Sequence, residues 1–119
     1  MKNKKKEKGK LIWVTGLSGS GKSLVASKLK KKLDAKMGHF LHFDGDDLRK
    51  IFNLNKYDYN SRLEYAYYYS KFCKKLTDQN FNIILAAISM FNDVRKWNRN
   101  NIQNYFEIYV KCLKKYLQK

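Results

Sequence analysis

The glycine-rich stretch at residues 16–23, GLSGSGKS, constrains the fold more than any other part of this 119-residue chain. It matches G-x-x-x-x-G-K-[ST], a pattern whose glycines let backbone N–H groups turn toward a polyphosphate. An apolar run at 11–15 precedes it and an apolar-periodic segment follows, so a helix is expected to direct its positive N-terminus at the same anion. The predicted phosphate-binding residues are Gly16, Leu17, Ser18, Gly19, Ser20, Gly21, Lys22 and Ser23.

Two side chains of this stretch have more specific predicted roles. Lys22 is expected to reach the β- and γ-phosphates, and Ser23 is expected to hold Mg²⁺. A Gly/Ser-rich surface turn that happens to carry a lysine is the alternative, and the flanking strand and helix patterns argue against it.

The net charge of +16 raises the question of nucleic-acid binding. Residues 1–10 hold six Lys and one Glu and are predicted to be a disordered basic leader, which leaves 20 basic and 9 acidic residues for the core at 11–119. Solvated helix faces account for the remaining clusters, so attraction of nucleotides is expected rather than dedicated nucleic-acid binding. A basic nucleic-acid-binding module stays open as the alternative of a different class.

The rest of the composition favours one cytoplasmic domain. No apolar run approaches the length of a membrane span, and the N-terminus lacks the apolar segment of a secretory signal. Cys73 and Cys112 have neither a C-x-x-C spacing nor a secretory context, so both are predicted to be free thiols.

Strands and helices alternate along the chain. The pattern predicts strands at 11–15, 40–43, 81–87 and 105–110, with 81–87 in the middle of the sheet. It predicts helices from the glycine-rich stretch to near Gly38, weakly within 48–56, and at 61–78 and 93–103, with Asn80 as a left-handed cap. Leu113, Tyr116 and Leu117 suggest a last helical turn. The expected fold is an α/β three-layer sandwich of the P-loop NTPase type, with a parallel sheet of about four strands.

An acidic cluster, Asp44-Gly45-Asp46-Asp47, follows the second predicted strand, where open α/β sheets bind ligands. The strand at 81–87 ends in alanines and offers no carboxylate, so Asp44 and Asp46 are the candidate acids. A carboxylate beside Mg²⁺ and the γ-phosphate of ATP can orient a hydroxyl or accept its proton, which is typical of a kinase. Lys22, Asp44 and Asp46 are therefore the candidate catalytic residues, with Ser23 and Asp44 at the metal; Asp47 is the better candidate for a helix N-cap.

Arginines follow this cluster. Arg49, Arg62, Arg95 and Arg99 are candidates for gripping phosphate or sulfate, although surface pairing is at least as well supported for Arg95 and Arg99. The tyrosines at 65 and 67–69 favour helical packing over a stacking platform, since consecutive helical residues point to different sides.

The chain from 11 to about 112 resembles the adenylyl-sulfate kinases, which transfer the ATP γ-phosphate to the 3′-hydroxyl of adenylyl sulfate. The resemblance is carried by GLSGSGKS, by DGDDLR at 44–49, by Tyr57 with Arg62, and by Ile88-Ser89 followed by Arg95 and Arg99. The first motif is shared by many NTPases, whereas the second is far more specific. A role in sulfate assimilation follows as an expectation, with ATP and Mg²⁺ as cofactors.

The resemblance also implies roles for single residues. Asp44 and Asp46 would lie at the metal and the acceptor hydroxyl, and Arg49 and Arg62 would hold the acceptor's anionic groups. Tyr57 would stack on the acceptor base. Ile88 and Ser89 would line the same pocket, with Ser89 as a pocket wall rather than a catalytic group.

Three departures from the family pattern bear on the acceptor. Tyr65 stands where the family has an Asn that touches the acceptor, Met90 replaces a Pro, and Trp97-Asn98 precede Arg99 where small residues are usual. Kinases of another activated nucleotide, such as cytidine diphosphoramidate in capsule synthesis, therefore stay open as an alternative. A homodimer also stays open.

The family pattern continues beyond the strand at 105–110 with a lid and a further strand, which this sequence lacks. The expectation is an incomplete core: a truncated or frameshifted fragment that is a poor enzyme or none, since P-loop kinases depend on closure. The strand at 105–110 is then expected to form an exposed sheet edge.

Overall fold

The computed structural model describes residues 7–16, 20–88 and 91–111. The elements, in order, are β1 (Lys10–Gly16), α1 (Lys22–Met37), β2 (Phe40–Asp44), α2 (Gly45–Ile51), α3 (Tyr59–Asp78), β3 (Asn82–Ala87), α4 (Asn92–Asn101) and β4 (Asn104–Val110). The predicted alternation of strands and helices is confirmed. The predicted last turn at Leu113, Tyr116 and Leu117 lies outside the described residues, as does Cys112.

The four strands form one parallel sheet in the order β2-β3-β1-β4. β3 lies between β2 and β1, so the predicted central position of residues 81–87 is confirmed. Asp44 is level with Ala86 on β3, and Ala86 is level with Val14 on β1, so the ends of these strands meet at one edge. In the described part of the chain β4 is an edge strand, as expected.

Side chains alternate between the two faces of the sheet and create two apolar clusters. One face packs against α2, α3 and α4; its buried members include Leu11, Trp13, Leu48, Ala66, Cys73, Ile83, Leu85 and Val94. The other face packs against α1; its buried members include Ile12, Val14, Ala26, Ile84 and Ala86. The predicted three-layer sandwich is therefore confirmed.

Side-chain and backbone caps define the ends of α3. The Asp58 carboxylate accepts a hydrogen bond from the Ser61 N–H at 3.1 Å, so the helix begins two residues before the predicted 61. At the other end Asn80 adopts φ 73°, and the Asn80 and Phe81 N–H groups donate to the carbonyls of Thr77 and Leu76 at 2.9 and 3.1 Å. This is a Schellman motif, and it confirms the left-handed cap at Asn80.

The helix after the acidic cluster differs from the prediction. α2 spans Gly45–Ile51, earlier than the weak helix expected within 48–56, and Asp44 rather than Asp47 occupies the N-cap position. The Asp44 side chain makes no capping hydrogen bond. Asp46 and Asp47 lie in the first turn, where their charges favour the positive helix end and allow the helix to start directly after the strand.

Residues 8–10, which were predicted to belong to a disordered leader, are held by the core. The Gly9 N–H donates to the Thr77 carbonyl at 2.9 Å, and the Asn104 amide donates to the Lys8 carbonyl at 2.9 Å. Lys10 is the first residue of β1. The disordered leader predicted over 1–10 is thus wrong for residues 8–10, whereas residues 1–6 lie outside the described residues.

Cys73 is a free, fully buried thiol, as predicted. Burial raises its pKa to about 12. None of the helices in the described ranges has the length and apolar content that crossing a membrane requires.

Candidate functional site

A cleft of about 400 Å³ opens at the carboxyl ends of the strands. It is lined by Lys22, Ser23, Asp44, Gly45, Asp46, Arg49, Tyr57, Arg62, Tyr65, Ala66, Tyr69, Ala86, Ala87 and Ile88. The cleft lies at the edge where parallel α/β sheets bind ligands, because βα connections leave that edge open.

One end of the cleft is the start of α1. Lys22 is the first residue of this helix and Ser23 the second, and both line the cleft. Gly21 occupies the N-cap position with φ 96°, a left-handed conformation that side-chain-bearing residues rarely adopt. The unpaired N–H groups and positive end of α1 therefore lie beside the Lys22 ammonium, an arrangement suited to an anion.

The remaining described residues of the glycine-rich stretch fit closely against β4. A Cβ atom at Gly16 would lie 2.6 Å from the Val110 carbonyl oxygen, so glycine is required there. The Ser20 hydroxyl is buried and has no hydrogen-bond partner among the described residues. A buried hydroxyl without a partner is unfavourable, and a phosphate oxygen would satisfy it. Leu17, Ser18 and Gly19 lie outside the described residues.

The acidic side of the cleft comes from the β2–α2 junction. Asp44 ends β2, and its Oδ1 atom lies 3.2 Å from Nε2 of His42, two residues earlier on the same strand face. Asp46 extends from the first turn of α2. In the described ranges no group of three or more His, Cys, Asp or Glu side chains could hold a metal ion. One hydroxyl and one or two carboxylates, with phosphate oxygens, is the donor set that Mg²⁺ uses in nucleotide sites.

The residues that form the floor of the cleft have small, apolar side chains or none. Ala86 and Ala87, the last residues of β3, carry only methyl groups, and Gly45 carries none. A Cβ atom at Gly45 would come within 3.0 Å of the Ala87 Cβ, so the β2–α2 junction packs directly on β3. The alanines that cannot supply a carboxylate instead leave the space that a ligand needs.

One face of α3 forms a wall of the cleft. Arg62, Tyr65, Ala66 and Tyr69 follow the i, i+3, i+4, i+7 spacing and all line it. Tyr65 and Tyr69 are buried while Tyr68 is 45% exposed, so the tyrosine run packs as a helix face, as predicted. Burial, together with the nearby Asp46 charge, raises the pKa of Tyr69 to about 12, against a smaller opposing effect of Arg49.

Arg49 and Tyr57 form the outer part of the cleft. The Arg49 guanidinium carbon lies 4.1 Å from the Tyr57 ring centroid, within cation–π distance. Tyr57 is 75% exposed, so the far face of its ring is open to solvent. A second depression of about 430 Å³ adjoins this region and shares Arg62 and Ile88 with the cleft.

The structure brings together eight of the predicted site residues: Lys22, Ser23, Asp44, Asp46, Arg49, Tyr57, Arg62 and Ile88. Arg95 and Arg99 do not line the cleft. The Arg95 guanidinium donates to Asn92 on its own helix, and Arg99 pairs with Glu107 at 3.0 Å on the exposed side. Ser89 lies outside the described residues.

Sequence reasoning gave Tyr65, Ala66, Tyr69 and His42 no role of their own in the site, although Tyr65 stands where the family has an Asn that touches the acceptor. The first three could have been found, because they follow Arg62 at the spacing of one helix face. His42 could have been found from its alternation with Asp44 along a strand, which puts both side chains on the same face.

Together, the four-stranded parallel sheet, the glycine-rich loop and the helix that follows it define a P-loop kinase-type α/β domain. The family model for adenylylsulphate kinase matches residues 8–119. The chain belongs to this family.

Among curated relatives, the chain is similar to the cytidine diphosphoramidate kinase of Campylobacter jejuni, with 42% identity over 86% of this chain and 60% of that protein. It is also similar to the adenylyl-sulfate kinase of Clostridium kluyveri, with 38% identity over 89% of this chain and 54% of that protein. The chain therefore spans 60% and 54% of the length of these relatives.

Solved structures agree with this assignment. The Mycobacterium tuberculosis APS kinase CysC in complex with AMPPNP and APS superimposes with a TM-score of 0.75 at 33% identity, over 87% of this chain and 63% of that one. A hexameric APS kinase from Thiobacillus denitrificans superimposes with a TM-score of 0.74 at 26% identity, over 87% of this chain and 22% of that one.

Proposed function

We propose that this chain is the nucleotide-binding core of an ATP-dependent kinase that phosphorylates a hydroxyl group of an activated nucleotide. The observation that carries the proposal is that Lys22 and Ser23 line the same cleft as Asp44 and Asp46. The start of α1, the proposed phosphate-binding end, thus shares a cleft of about 400 Å³ with two carboxylates. Family membership supports the same chemistry.

The phosphate end would bind ATP through the backbone N–H groups at the start of α1 and through the Lys22 ammonium. Positive charge held at the transferring phosphate favours the transition state, because charge is redistributed over its oxygens. Ser23 and Asp44 would hold Mg²⁺ in this proposal. When bound, the ion neutralises phosphate charge and aligns the phosphate oxygens.

Asp44 and Asp46 would act on the acceptor hydroxyl. A carboxylate within hydrogen-bond reach of this hydroxyl can orient it and take its proton. The His42 contact holds Oδ1 of Asp44, so the other oxygen is the one proposed to meet the ion or the hydroxyl.

Arg49 and Arg62 would hold the acceptor's anionic group, with Tyr57 as the surface on which its base stacks. Both arginines line the cleft on the side of α2 and α3. Arg49 has its guanidinium against the Tyr57 ring, so the two side chains present an anion donor and a planar surface together. Arg62 begins the line of α3 residues that forms the wall.

Two acceptors fit this description. Adenylyl sulfate, giving 3′-phosphoadenylyl sulfate, is the acceptor that the sequence motifs predict. Cytidine diphosphoramidate is favoured by the 42% identity to a kinase of that name, against 38% for the adenylyl-sulfate kinase of Clostridium kluyveri. Both acceptors combine a nucleoside with an anionic group, which suits Tyr57 beside two arginines.

A coupled ADP-release assay across adenylyl sulfate, cytidine diphosphoramidate and plain nucleosides tests the proposal. ADP release that depends on one of the two activated nucleotides is the expected result. Release that is equal with plain nucleosides, or absent with both activated nucleotides, would contradict it. For the substitution Lys22→Ala, the control is Lys28→Ala, which removes an exposed lysine elsewhere on the same helix.

A further inference from the structure

In the segment between α2 and α3, the backbone of Lys56 is bound to two side chains of the cleft. The Lys56 N–H donates to the Tyr65 hydroxyl oxygen at 3.0 Å. The Lys56 carbonyl accepts a hydrogen bond from the Arg49 guanidinium at 3.2 Å. Both polar groups of this residue are thus bound by side chains of the cleft, one from each of the flanking helices.

The same side chains contact one another. The Arg49 guanidinium carbon lies 5.3 Å from the Tyr65 ring centroid and 4.1 Å from the Tyr57 ring centroid. Arg49 is therefore placed against two rings as well as against a carbonyl. A guanidinium has five N–H donors, and the bond to Lys56 uses one, so donors remain for an anion in the cleft.

Tyr65 is the rigid member of this group. Its side chain is 7% exposed and belongs to the core cluster between the sheet and α3, whereas Tyr57 is 75% exposed. Residues 55–57 form no helix or strand, and the Leu54 N–H before them donates to the Arg49 carbonyl at 2.9 Å, at the end of α2. Without an anchor such a segment retains much of its conformational freedom, so a contact to the core determines where Tyr57 and the Lys56 carbonyl lie.

We propose that Tyr65 is a positioning residue for the acceptor half of the cleft, acting through Arg49 and Tyr57. Its hydroxyl holds the Lys56 backbone, and its ring supports the Arg49 guanidinium, so that guanidinium and Tyr57 ring face the acceptor in one arrangement. This inference rests on the proposed function for the identity of the ligand. Tyr65 itself is not expected to contact ATP.

Tyr65→Phe separates the anchor from packing, because it keeps the buried ring and removes only the hydroxyl. The KM for adenylyl sulfate or cytidine diphosphoramidate, whichever the chain uses, is expected to rise about three- to tenfold, the effect of losing one hydrogen bond. The KM for ATP is expected to stay within about twofold, since the affected group lies at the other end of the cleft. The matched control is Tyr67→Phe, which removes a hydroxyl from the same helix outside the cleft-lining residues.

Two further measurements exclude a merely structural role. Hydrogen exchange of the Lys56 amide is expected to accelerate in Tyr65→Phe but not in Tyr67→Phe, while exchange within α3 is unchanged in both. In an Arg49→Lys background, Tyr65→Phe is expected to raise the acceptor KM by less than it does in the unaltered chain, because the two residues act together.

The outcomes distinguish this inference from the proposed function. An unchanged acceptor KM with intact turnover, unaltered Lys56 exchange, or an equal rise in both KM values would overturn the role of Tyr65 alone. An unaltered chain with no turnover on either activated nucleotide would refute the proposed function and, with it, the acceptor role. If the Lys56 amide still exchanged faster in Tyr65→Phe, only the role of the Tyr65 hydroxyl in holding the Lys56 backbone would be supported.

Discussion

Replacing Asp44 by asparagine isolates the charge of the carboxylate that ends β2. The amide has the same shape and keeps an oxygen for the contact with His42. In the unaltered chain, His42 Nε2 lies 3.2 Å from Asp44 Oδ1. It can neither accept a proton from the acceptor nor bring negative charge to a metal ion. The substitution therefore changes chemistry and leaves packing nearly unaltered.

The expected loss falls on kcat. A positioned general base contributes about 10²- to 10⁴-fold, so the rate of phosphoryl transfer should fall by at least about 100-fold. In the proposed site ATP binds through the helix start and Lys22, so the Kd for ATP should change by less than about threefold. Transfer is measured with ATP labelled at the γ-phosphate, which detects slow turnover, and the Kd by equilibrium titration.

Asp47→Asn provides the matched control. It removes the same charge from the same helix start, where the favourable interaction with the helix dipole amounts to about 0.3–1 kcal/mol. Asp47 does not line the cleft, so both kcat and Kd should stay near those of the unaltered chain. Equal losses in kcat and ATP affinity for Asp44→Asn, or an equal loss of kcat for Asp47→Asn, would refute a chemical role for Asp44.

Three other substitutions test separate parts of the structure. Lys22→Ala should abolish transfer while leaving the circular-dichroism spectrum and unfolding midpoint unchanged, since Lys22 contributes charge and little packing; retained turnover would contradict the role of the loop. His42→Ala should lower kcat by up to about tenfold at constant ATP affinity, because Asp44 loses the partner that holds one oxygen; an unaltered kcat would show that this contact is dispensable. Burial raises the pKa of Cys73 to about 12, so the folded state keeps its proton at a pH where the unfolded chain, with a pKa near 9, loses it. The contribution of this group to stability is thus present below pH 9 and lost as the pH rises toward 12; Cys73→Ala should flatten the decline in unfolding free energy over this window by up to about 1.4 kcal/mol per pH unit, and parallel curves would contradict the argument.

Local patterns in the sequence were sufficient to predict the sheet and the position of Lys22 and Ser23 at the start of α1. The glycines, Lys22 and Ser23 lie within eight residues, and the strand and helix around them carry apolar patterns that need no long-range information. Asp44 could also be predicted locally, because it directly follows an apolar strand and the carboxyl ends of such strands are where open α/β sheets bind ligands.

The starts of α2 and α3 depended on capping, which sequence patterns describe less well. The apolar periodicity of 48–56 is weak, so the helix start at Gly45 is determined by the turn after β2 and by the charges of its first turn. At α3 the Asp58 carboxylate extends the helix beyond the apolar pattern.

The network of Tyr65, Arg49 and Lys56 could not be predicted, because it joins two helices and an irregular segment through contacts that form only in the folded chain. From sequence, Tyr65 stands where the family has an Asn, but no local pattern distinguishes its packing from that of the tyrosines at 67–69. Its burial and the bond from the Lys56 N–H distinguish it.

In the proposed function, one cleft binds the ATP γ-phosphate at the start of α1 and an activated nucleotide beside Arg49 and Arg62. The most direct measurement follows labelled γ-phosphate from ATP onto adenylyl sulfate and cytidine diphosphoramidate, with Mg²⁺ present and with cytidine and adenosine as comparison acceptors. Label is expected on a hydroxyl of one activated nucleotide, and Arg49→Ala and Arg62→Ala are expected to reduce this labelling by raising the acceptor KM. Label on the plain nucleosides at the same rate, or none on either activated nucleotide while ATP binds, would contradict it.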